Sequence, residues 1–140
     1  MKKPIHLTCI VDDDEIYTYG LKKLLLYKDF SEKIIIFSNG QKAINFLAKV
    51  VDLPDEQPDI LLLDINMPVM DGWQFLDEFL KIKPAFSHPI TIFMLSSSVD
   101  ERDINRARTY EEVYEYFIKP VRLDDLDRIM KEYHNNLTNK

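Results

Sequence analysis

Five residues carry side chains that could do chemistry together: Asp12, Asp13, Asp64, Ser96 and Lys119. Three carboxylates brought to about 4 Å of one another repel by on the order of 4 kcal/mol per pair at an effective dielectric near 20. Such a cluster requires a proton, a cationic side chain or a metal ion. Oxygen ligands with room for water favour Mg²⁺, which takes one or two carboxylates and completes its shell with water and phosphate oxygens. Lys119 supplies a second positive charge. An Asp carboxylate can itself attack phosphorus and form an acyl phosphate. Mg²⁺ and Lys119 would neutralise the transferring group, and the Ser96 hydroxyl could hydrogen-bond one of its oxygens.

The elements that must position these residues follow from the apolar pattern. Five short runs, Ile5–Val11, Lys33–Phe37, Ile60–Leu63, Ile90–Leu95 and Glu115–Ile118, are rich in Ile, Leu, Val and Phe. Several are nearly continuous rather than alternating, as strands buried on both faces are. Between and after them lie segments with helical spacing. Their apolar positions are Ile16, Leu21, Leu24 and Leu25; Ala43, Ile44, Leu47 and Val50; Phe75, Leu76, Phe79 and Leu80; Ile104 and Ala107; and Leu123, Leu126, Ile129, Met130 and Tyr133. Strand and helix alternate five times, which predicts an α/β fold: a doubly wound, five-stranded parallel sheet with five helices on its two faces. In such sheets, sites form outside the carboxyl ends of the strands, where the strand order reverses. In the flavodoxin-like order 2-1-3-4-5 that point lies between strands 1 and 3. Asp12 and Asp13 follow the first run and Asp64 the third, so the carboxylates would meet in one crevice, with Ser96 and Lys119 arriving from strands 4 and 5.

Four stretches, each at a predicted strand end, resemble the response-regulator receiver family: Ile10-Val11-Asp12-Asp13-Asp14, Leu62-Leu63-Asp64-Ile65-Asn66-Met67-Pro68-Val69-Met70-Asp71-Gly72, Met94-Leu95-Ser96-Ser97 and Tyr116-Phe117-Ile118-Lys119-Pro120. The resemblance covers about residues 4–133 of a chain read as one domain over 1–140. It implies a chemotaxis-type receiver, a phosphorylation-dependent switch of a two-component system or phosphorelay. Asp64 would be the phosphoacceptor, with Ser96 and Lys119 assisting. Mg²⁺ would be held by Asp13 and Asp64 directly, by Asp12 mainly through water, and by the backbone carbonyl of Asn66. Ser96, where the family more often has Thr, and Tyr116 would form the switch pair. The family also implies a cis Lys119–Pro120 bond. The donor would be a histidine kinase or histidine phosphotransfer protein, and output would pass to a separate, unidentified protein. Beyond self-phosphotransfer and autodephosphorylation no enzymatic activity is expected. The segment Tyr110-Glu111-Glu112-Val113-Tyr114 departs from the small, Gly-containing turn usual in the family.

Two other readings compete. A haloacid-dehalogenase-type phosphatase also places a nucleophilic Asp at a strand end, but it needs a second Asp two residues on, where this chain has Asn66. A receiver-like domain that binds constitutively is the third, although every pocket position is filled. Hydrolysis of an acyl phosphate would require water to pass Asn66 and Ser98, which flank its expected path.

Blander roles fit other residues. Asp14 can cap the first helix, and Asp71-Gly72 can turn the chain into the third. Trp73 and Phe75 suit first-turn packing or an exposed aromatic. Arg102, Arg106 and Arg108 suit a solvated helix face, and Asp52–Asp59 a loop. The 18 basic and 24 acidic residues give a net charge of −6, without the basic surplus that general nucleic-acid or anionic-membrane binding uses. Cys9 has no cysteine to pair with, consistent with a cytoplasmic protein. Lys2 and Lys3 precede an apolar run that stops at Asp12, too short for a signal peptide, and no run approaches a membrane span.

Overall fold

The computed structural model describes residues 5–138. Pro4, at the edge of the expected core, and the Lys2-Lys3 pair lie outside them. The strands are β1 (Leu7–Val11), β2 (Lys33–Phe37), β3 (Ile60–Leu63), β4 (Thr91–Ser96) and β5 (Val113–Ile118). They alternate with α1 (Glu15–Tyr27), α2 (Gly40–Lys49), α3 (Gly72–Ile82), α4 (Glu101–Ala107) and α5 (Leu123–Thr138). All pairings are parallel and the order is β2-β1-β3-β4-β5. The expected architecture is therefore present, strand order included.

Burial on both faces holds for β1, β3 and β4, every residue of which is buried; β2 and β5 at the edges are only partly covered. Two apolar layers flank the sheet. One joins Val11, Leu63 and Met94 to α2 and α3 through Leu47, Phe75 and Phe79. The other joins Ile10, Leu62 and Phe93 to α1 and α5 through Leu25, Leu126 and Ile129. Alternate residues of one strand thus serve opposite layers, as the pleat requires.

The helix stripes are narrower than the spacing suggests. Ile16 is 88% exposed, while Thr18, Leu21 and Leu25 are buried. Five residues from Leu21, Ile16 points about 140° away around a 3.6-residue helix. Leu80 and Leu123 are likewise on the rims of their stripes and exposed. Strand β5 begins at Val113, two residues before Glu115, because the pairing with β4 slips between Ile92 and Phe93 and passes over Tyr114. The 110–114 segment absorbs its departure from the family pattern as a turn followed by this irregularity. Asp52–Asp59 contains a single 3₁₀ turn at Pro54–Glu56.

One backbone conformation stands out. Val69 has φ of 70° and is 79% exposed. A β-branched residue in the left-handed region is strained, typically by 1–2 kcal/mol, and exposure leaves the side chain little packing to offset it. Val69→Asn should therefore raise stability by about 1 kcal/mol, read as a higher urea midpoint with unchanged slope. A midpoint equal to or below the wild type would contradict the strain.

Candidate functional site

The register brings the carboxyl ends of the strands to one level. Val11 pairs with Leu63, so Asp12 and Asp64 emerge side by side, and the Asp64 amide donates to the Val11 carbonyl at 3.0 Å. Ser96, the last residue of β4, pairs with Ile118, and the Lys119 amide donates to the Ser96 carbonyl at 2.8 Å. The Lys119–Pro120 peptide is cis, as expected.

The side chains converge as well. One oxygen from each of Asp12, Asp13 and Asp64 lies within 4.8 Å of the others. Lys119 Nζ sits 2.7 Å from Asp12 Oδ2 and 3.4 Å from Asp64 Oδ1. Asp12 is 4% and Asp64 7% exposed, whereas Asp13 is open to solvent. The second oxygen of Asp12 accepts from the Asp14 amide at 3.0 Å. Burial first, and the Asp12 charge second, push the Asp64 carboxyl up to about 6, although Lys119 pulls the other way. A buried carboxylate beside a second one gains from added positive charge. The cluster therefore suits a divalent cation with oxygen ligands: Asp13 and Asp64 have oxygens to give, water can enter beside Asp13, and both Asp12 oxygens already accept protein hydrogen bonds.

Local sequence explains the placement. Asp14 caps α1, accepting from the Tyr17 amide at 2.9 Å, so the chain turns sharply after Asp12 and Asp13. Asp71 caps α3 in a reciprocal box with Gln74. Gly72 then lies so close to β3 that a Cβ would overlap the Asp64 carbonyl oxygen and stand 2.9 Å from Ile65 Cα. The pair read as a simple turn thus also seats α3 against the backbone of Asp64.

The remaining expected residues gather nearby. Asn66 is exposed in the loop two residues past Asp64. Ser96 is fully buried, and its Oγ accepts from the Ser98 amide at 3.1 Å. Tyr116 is half-buried, and its hydroxyl donates to the Ser98 carbonyl at 2.8 Å. Both members of the expected switch pair therefore hold the same residue. The Ser98 hydroxyl donates to Asp103 Oδ2 at 2.6 Å at the start of α4, an engagement with no cue in the motif.

Other features outside the motifs came only from tertiary packing. Tyr17 places its ring 4.4 Å from Lys119 Nζ. Trp73 is buried, stacks on Tyr110 and carries the Arg106 guanidinium over its ring at 4.6 Å. Arg102 pairs with Asp100, so the arginines of α4 have partners within the fold. Cys9 is buried in β1 as a core residue. No helix among the described residues is long and apolar enough to cross a membrane.

Comparison with known proteins agrees with this geometry. The response regulator receiver domain model matches residues 8–131. A two-component response regulator from Cytophaga hutchinsonii is similar over 95% of this chain and 99% of its own, with a TM-score of 0.86 and 28% identity. A phosphorylated cyanobacterial phytochrome response regulator is similar over 91% of this chain and 90% of its own, with a TM-score of 0.72 and 25% identity. A protein-glutamate methylesterase/protein-glutamine glutaminase from Methanococcoides burtonii is 26% identical over 94% of this chain, which spans only 35% of that protein's length.

Proposed function

This chain belongs to the response-regulator receiver family, and on that premise we propose that Asp64 accepts the phosphoryl group in a phosphorylation-dependent signalling switch. The observation that carries the assignment is the Lys119 ammonium bridging Asp12 and Asp64 at adjoining strand ends. In the transfer, an Asp64 carboxylate oxygen forms a bond to phosphorus. The bond from phosphorus to the donor breaks, and its electron pair leaves with the donor: imidazole nitrogen from a phosphohistidine, or a carboxylate from acetyl phosphate. Lys119 neutralises charge on the phosphoryl oxygens. Asp13, Asp64 and the Asn66 carbonyl would hold Mg²⁺, with Asp12 reached through water, and the bound ion would supply further positive charge for the phosphoryl oxygens.

Ser96 and Tyr116 would carry the change outward. The Ser96 hydroxyl, drawn to a phosphoryl oxygen on Asp64, would release the Ser98 amide that it now accepts from. Tyr116, bonded to the carbonyl of the same residue, would follow, and with it the start of α4 through Asp103. This is a two-state element biased by a local charge event. We further propose a histidine kinase or histidine phosphotransfer protein as donor and a separate protein as receiver of the signal. The net charge of −6 supports a protein rather than nucleic acid. The chain's own chemistry would then be limited to taking and losing the phosphoryl group. The phosphatase reading has no support from Asn66, whose amide cannot serve as general acid.

The test is direct. Acetyl phosphate with Mg²⁺ should add one phosphoryl group, seen by intact mass and lost when Mg²⁺ is chelated. Asp64→Ala should show no adduct. The same adduct on Asp64→Ala would overturn the assignment.

A further inference from the structure

We propose that Tyr17, through the face of its ring, is a positioning residue for Lys119 and so sets the rate at which Asp64 is phosphorylated. The proposal rests on the reading of Asp64 as acceptor.

Lys119 has a demanding task. Its flexible four-carbon stem, rich in rotamer freedom, must hold an ammonium against two carboxylates. Asp12 and Asp64 hold the ammonium at 2.7 and 3.4 Å. Tyr17, outside the motif, adds a third contact: the ring centroid lies 4.4 Å from Nζ, well inside the roughly 6 Å over which a ring attracts a cation. The lysine side chain is only 13% exposed.

The ring is itself fixed. Asp14 accepts from the Tyr17 amide, which sets the first turn of α1 directly after the carboxylates. The side chain then packs with the apolar layer of α1 and α5 and lines a groove with Leu21, Pro120 and Val121. Its hydroxyl is buried beside the Val121 backbone, without a hydrogen bond of good geometry, so the ring rather than the hydroxyl makes the contact that matters. Tyr17 thus joins the first turn of α1 to Lys119 and to the loop that follows it.

Without the ring face, the ammonium would sample rotamers turned out to water, and fewer chains would hold it where charge develops on the phosphoryl group. Tyr17→Leu keeps a shorter apolar side chain but has no π face. With acetyl phosphate and saturating Mg²⁺, its phosphorylation rate should fall about tenfold, within the range of a partly desolvated cation–π contact. Tyr17→Phe should remain within twofold of wild type.

A purely structural role would slow Tyr17→Leu as well, so the deciding measurement is a double-mutant cycle. In a Lys119→Met background, Tyr17→Leu should change the residual rate by less than twofold, because the group it positions is gone. A tenfold loss in both backgrounds overturns the proposal, as does equal loss in Tyr17→Phe and Tyr17→Leu, or a wild-type rate in Tyr17→Leu. Failure of the wild type to accept any phosphoryl group would instead overturn the reading of Asp64, and this proposal with it.

Discussion

Asp64→Asn, freed of divalent metal at pH 7, should melt about 5–10 °C above the wild type. Asp64 has an ordinary value of 3.8, and in the folded protein burial and Asp12 push it up to about 6. Below about pH 4 the group is protonated in both folded and unfolded chains, and the substitution should matter little. Between about pH 4 and 6 the unfolded chain releases a proton that the folded chain retains, so folded stability falls as pH rises. Above pH 6 the whole cost is present, about 3 kcal/mol at 1.36 kcal/mol per pH unit. Asn keeps the shape of the side chain and removes the charge, and Lys119 keeps its closer partner, Asp12, at 2.7 Å. Thermal melts of both proteins in chelator, from pH 4 to 8, should therefore diverge with rising pH and run parallel above about 7. An Asn variant no more stable at pH 7, or a gap that widens toward pH 4, would mean that burial and Asp12 do not penalise the Asp64 charge as the geometry implies.

Gly72→Ala should cost about 3 kcal/mol of stability, at the upper end of what overpacking does, and should slow phosphorylation of Asp64 by tenfold or more. The added Cβ would overlap the Asp64 carbonyl oxygen and approach its carbonyl carbon to 3.2 Å. These are backbone atoms at the end of a central strand, with no rotamer to move aside. Relief has to come from shifting α3 away from β3, which lengthens the 2.7 Å bond from the Gly72 amide to the Ile65 carbonyl, or from displacing Asp64 itself. Gly20 is the control. A Cβ there meets nothing within 4 Å, and within α1 Gly20→Ala should stabilise by roughly 0.5–1 kcal/mol. Urea unfolding together with phosphorylation rates would decide the matter. A Gly72→Ala protein with wild-type midpoint and rate would show that α3 yields freely, against the close packing assigned to it.

Most of the frame was legible because the residues responsible are local. Near-continuous apolar runs specify β1, β3 and β4, and polar residues that break those runs mark the strand ends where Asp12, Asp64 and Lys119 stand. The fully buried Ser96 could be assigned only together with its neighbours in the motif. What stayed hidden depends on contacts between segments far apart in sequence. Nothing about Tyr17 within α1 announces that its ring meets Lys119. The Asp71-Gly72 pair reads as a turn, while the demand on Gly72 comes from the Asp64 backbone. Ile16 fits a helical apolar pattern yet faces solvent, because periodicity gives the width of a stripe only approximately. Val69 carries no cue at all, since valine is among the residues least suited to the left-handed conformation it adopts.

The bond from Lys119 to Asp12 spans 107 positions of the chain. During translation the carboxylates emerge long before the cation that holds them. A nascent chain that has produced β1 and β3 has its acidic residues but no lysine between them. Because β5 is an edge strand that pairs with β4, the ammonium arrives with the last strand of this sheet to leave the ribosome. Closing so long a loop is the slow, entropically costly kind of contact. The acceptor should therefore become reactive only when β5 has docked, so that a nascent chain still lacking β5 could not draw phosphoryl groups away from folded receivers.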